Sequence, residues 1–270
     1  MPDTIQAALL GVVQGLTEFL PVSSTAHLII ARALFGFDGD KFGLAFDVAC
    51  HIGTLVAVLI YFRTEIARMI AALPQLTDPR GDEDARLVWL LVVGTIPAVI
   101  AGGLFKHVIE DRMRTVAVSA MALAIGGVLL FVADRAGSKT RRESSLTLAD
   151  AFWIGCAQAV ALIPGVSRSG ATITLALLLG MMRADAARFI FLLSIPAILG
   201  AAVSEAPRLL KGGVHGDERW LFAIGIVSSA IVGYAAVKYF IRYLGRHSLD
   251  LFAWYRLALA AVAVVWLITR

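Results

Sequence analysis

The sequence predicts an all-α polytopic membrane protein built as an inverted repeat. Each half holds one re-entrant broken helix pair and three transmembrane helices. Three observations lead there. Of 270 residues, 59% are hydrophobic and only 16% charged, whereas a soluble domain carries about 25% charged residues. Two long apolar runs, 5–37 and 151–182, are each interrupted by a proline and a cluster of hydroxyl residues. The runs also echo each other: Gly11, Gln14, Val22 and Ser23 recur as Gly155, Gln158, Val166 and Ser167, each 144 residues later.

The length allows six to eight spans of ~20 residues. A net charge of +4 fits basic loops, and no basic stripe interleaved with aromatics suggests a nucleic-acid partner. Cys50 and Cys156 both lie in apolar segments, so no disulfide framework is expected. Asp3 is the only charge before Glu18, and no cleaved signal peptide is read from a start without a basic region.

In chain order, residues 5–37 are long enough to span but are broken at Pro21 and the Ser-Ser-Thr that follows. Proline removes a donor and disfavours helix in the residue before it. Ser23 or Ser24 is then a natural N-cap for a new helix through His27. Residues 42–62 form a clean span closed by Arg63, Glu65 and Arg68, and 74–86 form a surface loop. Residues 87–105 and 115–133 are the next spans, and 134–150 is a basic link between the halves. Residues 151–182 are broken again, at Pro164-Gly165 and Ser167-Arg168-Ser169. Residues 189–203, 220–241 and 251–268 complete the set. The expectation is one integral membrane domain, with halves of roughly 1–135 and 148–270. Three spans per half is an odd number, so the second copy enters from the opposite face, an arrangement that puts sites near the midplane.

Counting Lys and Arg sets the orientation. Segments 63–86, 135–142, 183–188 and 238–246 carry thirteen; segments 32–41, 106–114 and 208–219 with position 270 carry nine. The richer face is expected to be cytoplasmic, with both termini and the first hairpin on the outer side.

The chemistry-bearing residues gather at the two breaks. Gln14 and Glu18 are four apart on one helical face, as are Ser24 and His27 at three. Ser23, Ser24 and Thr25 sit at a helix N-terminus, where free N–H groups and the dipole favour an anion. Ser167, Arg168 and Ser169 repeat this start, with Thr172 one turn in. Arg168 adds a planar fork suited to phosphate oxygens. Glu18, helped by Gln14, is suited to Mg²⁺ or Ca²⁺, hard cations that bridge phosphates. A charge at membrane depth is functional by default. By contrast, His51 and Asp47 read as packing residues, and Arg256 as a side chain that snorkels to the surface.

The runs Gln14-Gly-Leu-Thr-Glu-Phe-Leu-Pro-Val-Ser-Ser-Thr-Ala-His27 and Pro164-Gly-Val-Ser-Arg-Ser-Gly-Ala-Thr172 resemble the two signature motifs of the undecaprenyl-diphosphate phosphatases of the bacitracin-resistance type. The resemblance covers nearly the whole chain. It implies an enzyme of the bacterial plasma membrane that cleaves one phosphate from a C55 isoprenoid diphosphate, recycling the carrier for cell-wall synthesis. It implies roles for Glu18, Ser24, His27 and Arg168 in catalysis, and for Gln14, Ser23, Thr25, Ser167, Ser169 and Thr172 in binding. Family members often have Glu where this chain has Gln14. The expected partners are the lipid substrate, membrane lipid and, as one oligomeric option, a second copy in a homodimer.

The mechanism expected is in-line phosphoryl transfer, with Ser24 attacking and His27 as general base and then acid. Direct attack by water, with His27 or Glu18 as base, is the alternative. A reading from another class is a transporter of the isoprenoid phosphate carrier, because inverted repeats with half-helix tips are transporter architecture.

Overall fold

The fold follows from where the backbone is forced out of the helix. The computed structural model describes residues 1–39, 41–77, 81–211 and 218–269, so positions 80 and 270 of the charge count lie outside it. Helix α1 (Asp3–Phe19) stops because Pro21 pushes Leu20 into the extended region, at ψ 146°. Ser23 then takes a left-handed φ of +71°, unusual for a residue with a side chain. Its Oγ accepts from Ala26 N and opens α2 (Ser24–Phe35).

The second break is built the same way. Helix α7 (Leu148–Val160) begins with a reciprocal cap between Thr147 and Asp150. The chain then turns through Pro164, and Ser167, again at φ +71°, accepts from Gly170 N to open α8 (Arg168–Leu178).

The remaining helices are α3 (Leu44–Tyr61), α4 (Arg63–Ala71), α5 (Glu83–Val108), α6 (Val116–Ala136), α9 (Arg183–Lys211), α10 (Glu218–Leu244) and α11 (Asp250–Ile268). Six of these are long and apolar enough to cross a membrane, and no strand is present among the described residues. Their apolar outer faces, with Leu104, Val128, Ile231 and Val265 more than half-exposed or nearly so, suit lipid rather than water.

Helix α4 is a correction to the sequence reading, which took Arg63, Glu65 and Arg68 as the end of a span leading to a loop. Ile66, Met69 and Ile70 share one face at helical spacing, with Arg68 on the other and Arg63 and Glu65 at its edges, as in a helix lying at an interface. The following loop is also shorter than expected, because Asp82 caps α5 by accepting from Ala85 N.

Helix α1 packs on α10, α7 on α5, α3 on α9 and α10, and α6 on α11. Two of these pairs rest on glycine. A Cβ on Gly11 would strike the backbone of Gly225, and one on Gly155 would strike the carbonyl of Gly94. Small residues of this kind let membrane helices approach backbone to backbone.

The link between the halves is held by ion pairs. Asp134 accepts from Arg183 Nε at 2.6 Å and from Leu249 N at 3.0 Å, joining the ends of α6, α9 and α11. In the same region burial raises the Glu143 carboxyl to about 7. Arg188, with Nε 3.3 Å from Oε2, opposes this, and the Asp185 and Glu65 carboxylates add to it. A folded value above the ordinary 4.5 means that the associated stability is complete at low pH and is lost as pH rises through about 7. Glu143→Gln should therefore keep its thermal midpoint between pH 5 and pH 8 while the parent's falls. Parallel melting profiles for the two would show that this carboxyl does not titrate there.

Candidate active site

Glu18 is the hub. It lies in the last turn of α1, where the chain is about to break, and is buried. Gln14 Nε2 donates to Oε2 at 2.9 Å and Ser24 Oγ donates to the same oxygen at 2.7 Å. His51 Nε2 lies 3.3 Å from Oε2. Arg168 Nη2 donates to Oε1 at 2.6 Å. Four helices thus converge on one carboxylate: α1, α2, α3 and α8. A buried carboxylate needs this, since an unpaired charge away from water costs several kcal/mol.

Around the hub lies a cavity of about 500 Å³. Its walls include Glu18, Ser23, Ser24, Thr25, Ser167 and Arg168 from the two breaks. Gln14, His27, Ser169 and Thr172 are not in its walls. Thr172 Oγ1 donates to the Arg168 carbonyl at 2.6 Å, and Ser169 Oγ to the Leu20 carbonyl at 2.8 Å. The Ser169 hydroxyl ties the second break to the first, and the Thr172 hydroxyl bonds back within α8.

His27 is placed apart from Ser24. Its Nδ1 donates to the Ser23 carbonyl at 2.7 Å, which leaves Nε2 to accept from the Tyr255 hydroxyl at 2.8 Å. The imidazole also lies parallel to the Tyr255 ring, 5.6 Å between centroids. Both ring nitrogens are in use, and the group within reach of Ser24 is Glu18.

His51, read from sequence as packing, belongs to the site. Its Nδ1 donates to the Asp47 carbonyl at 2.7 Å, which aims Nε2 at Glu18. Asp47 itself is buried and paired with Arg32, and accepts from Arg114 Nη2 at 2.8 Å. The signal was two polar residues four apart in an otherwise apolar span. Lys106 and Arg114 also line the cavity and add positive charge to its wall.

Arg256 does not snorkel. It is fully buried and points inward from α11. Its guanidinium donates to Pro21 O at 3.2 Å in the first break and to Gly165 O and Val166 O at 3.1 and 3.0 Å in the second. It also donates to Ala122 O and Leu123 O of α6. Unwound backbone at membrane depth leaves carbonyls that nothing else would satisfy. A planar fork with five N–H donors meets that demand, and it does so for both breaks at once.

An Mg²⁺ or Ca²⁺ ion would find oxygen donors in Glu18 and in Gln14 Oε1, which is buried without a partner. No cluster of three or more His, Cys, Asp or Glu able to hold a metal exists among the described residues. Such a cation would take its other ligands from substrate phosphates and water.

The sequence model of the family described as "Bacitracin resistance protein BacA" matches residues 7–262. The chain is 47% identical over 271 residues to an undecaprenyl-diphosphatase of Rubrobacter xylanophilus, covering 99% of this chain and 100% of that one. It is 44% identical over 265 residues to an undecaprenyl-diphosphatase of Teredinibacter turnerae, covering 97% and 99%. It is 48% identical over 268 residues to undecaprenyl-diphosphatase 2 of Stutzerimonas stutzeri, covering 97% and 98%. With a match of that extent, and with both signature runs folded into one cavity, the chain belongs to the BacA family of bacitracin resistance proteins.

Proposed function

We propose that the chain hydrolyses undecaprenyl diphosphate to the monophosphate and inorganic phosphate, returning the lipid carrier to cell-wall synthesis. The observation that carries this is the Ser24–Glu18–Arg168 constellation where the two broken helices meet, with Ser24 Oγ 2.7 Å from a carboxylate and Arg168 2.6 Å from the same group. Phosphoryl transfer needs mainly positioning and charge neutralisation. The α2 and α8 N-termini and Arg168 supply the positive field for the diphosphate.

In the proposed step Glu18 accepts the Ser24 proton as Oγ attacks the terminal phosphorus. The Oγ–P bond forms, the P–O bond to the bridging oxygen breaks, and the isoprenyl monophosphate leaves. Glu18 passes the Ser24 proton to the departing monophosphate. Water then attacks the phosphoserine, giving its proton to Glu18. The Oγ–P bond breaks, Glu18 returns the proton to Ser24 Oγ, and phosphate leaves. Glu18 replaces His27 as the base because His27 has both nitrogens bonded elsewhere. A divalent ion held by Glu18 and Gln14 would add neutralisation of the phosphate charge.

The tail has a place as well. An apolar groove of about 540 Å³ runs between α4, α5 and α9 and shares Thr95, Val99 and Pro196 with the polar cavity. We assign it to the isoprenoid chain. Val99→Trp should raise KM for a C55 diphosphate about tenfold, change kcat little, and affect a C15 substrate much less. Equal effects on both chain lengths would remove the groove from the substrate's path.

The orientation and the repeat belong to the same proposal. Lys106 and Arg114 line the cavity, and both fall in the 106–114 segment that the charge count puts on the outer side. The matching φ of Ser23 and Ser167, and the matching glycine contacts of α1 on α10 and α7 on α5, support two halves of opposite topology.

The decisive test is phosphate release from C55 and C15 diphosphates by detergent-solubilised protein, with EDTA and with each divalent ion in turn. Micelles have no two sides, so release there separates hydrolysis from transport. Labelled substrate should leave phosphate on Ser24 in a rapid burst. A competent burst with no label on Ser24 would replace it with direct attack by water.

A further inference from the structure

Gln158 carries a feature that the mechanism so far does not use. It lies near the C-terminal end of α7, is 3% exposed, and neither Nε2 nor Oε1 has a hydrogen-bond partner. It also lines the cavity together with Glu18, Ser24, His51 and Arg168. A buried carboxamide with both ends unsatisfied is costly, and native structures hold few such groups. An unpartnered amide in the wall of a cavity suited to a polar ligand has a ready explanation: its partner is the ligand.

The echo between the two breaks shows how this arises. Gln158 stands where Gln14 stands in the first copy, and Gln14 spends its Nε2 on Glu18, four residues on. Four residues after Gln158 is Leu162, another cavity residue with nothing to accept a hydrogen bond from the side chain. The second break thus keeps the amide and lacks the carboxylate. A neutral amide here has a use that a second carboxylate would not, since it donates to phosphate oxygens without repelling them.

We propose that Gln158 is a substrate-contacting residue whose Nε2–H donates to an oxygen of the isoprenyl diphosphate. This rests on the diphosphatase reading above. The contact forms in the bound state, so its loss weakens binding and leaves the empty protein's stability unharmed.

The test uses the full-length protein in micelles and an isoprenyl methylenediphosphonate, whose bridging CH2 prevents cleavage. Gln158→Leu should weaken analogue binding and raise KM about tenfold, with the unliganded thermal midpoint equal to or above the parent's. Gln158→Glu, which sets a negative charge against the phosphates, should weaken binding about a hundredfold. Gln158→Asn, with the amide drawn back by one methylene, should fall between parent and Leu, and it serves if the Leu variant fails to fold. Analogue affinity within twofold of the parent for Leu or Asn would overturn the assignment, as would a lowered midpoint with unchanged affinity. A parent that binds the analogue but releases no phosphate from the natural diphosphate would instead refute the hydrolysis reading alone. A parent that binds no analogue would end both.

Discussion

Arg168→Ala should lower kcat/KM about a thousandfold, equivalent to about 4 kcal/mol of transition-state stabilisation. Two effects add. The variant loses the only side-chain cation among the described residues that both lines the cavity beside Ser24 and bonds Glu18 Oε1, at 2.6 Å. It also leaves one side of a buried carboxylate without its charge partner. His51 faces the other oxygen, Oε2, so the hub survives but is no longer balanced. Arg168→Lys should recover only part of the rate, because a point charge on a flexible stem cannot replace a planar fork across adjacent oxygens. Steady-state kinetics on a C15 diphosphate would measure both. A rate within tenfold of the parent for the Ala variant would remove Arg168 from the reacting charge.

The second large effect is on stability. Arg256→Met should destabilise the protein by about 3–5 kcal/mol, read as a lowered thermal midpoint in micelles. The guanidinium donates to five carbonyls in three elements, and an apolar side chain of similar length leaves all of them buried and unpaired. Arg256→Lys should rescue little, since an ammonium offers three donors where five carbonyls wait. Because Pro21 and Gly165 belong to the two breaks, the folded fraction of either variant should also have a reduced kcat. An unchanged melting profile for the Met variant would mean that water satisfies the breaks.

Glu18 and Arg168 were legible in the sequence for a simple reason. Charged groups at membrane depth have few ways to be satisfied, and two such groups in matched contexts point at each other. The serine N-caps were legible because proline fixes where a helix must stop. The direction of a side chain around its helix at a break was not. Spacing alone pairs His27 with Ser24, but the left-handed turn at Ser23 sets the imidazole against the Ser23 carbonyl and Tyr255, more than two hundred residues away. Arg256 was misjudged for a related reason. Spacing within one helix shows which residues share a face, but not that the facing neighbours are two unwound loops rich in carbonyls. Helix α4 was lost because alternating charges disguised a period that only its apolar side displays.

The groove along α5 is open sideways, with Val92, Ile96, Val99 and Ile100 all substantially exposed on the apolar surface. A molecule using that entrance arrives by diffusing in two dimensions, never leaving the oil. What sets occupancy is then the mole fraction of diphosphate among its neighbouring lipids, not its amount per litre. Diluting the substrate with inert detergent at constant total concentration should slow the reaction as surely as removing it.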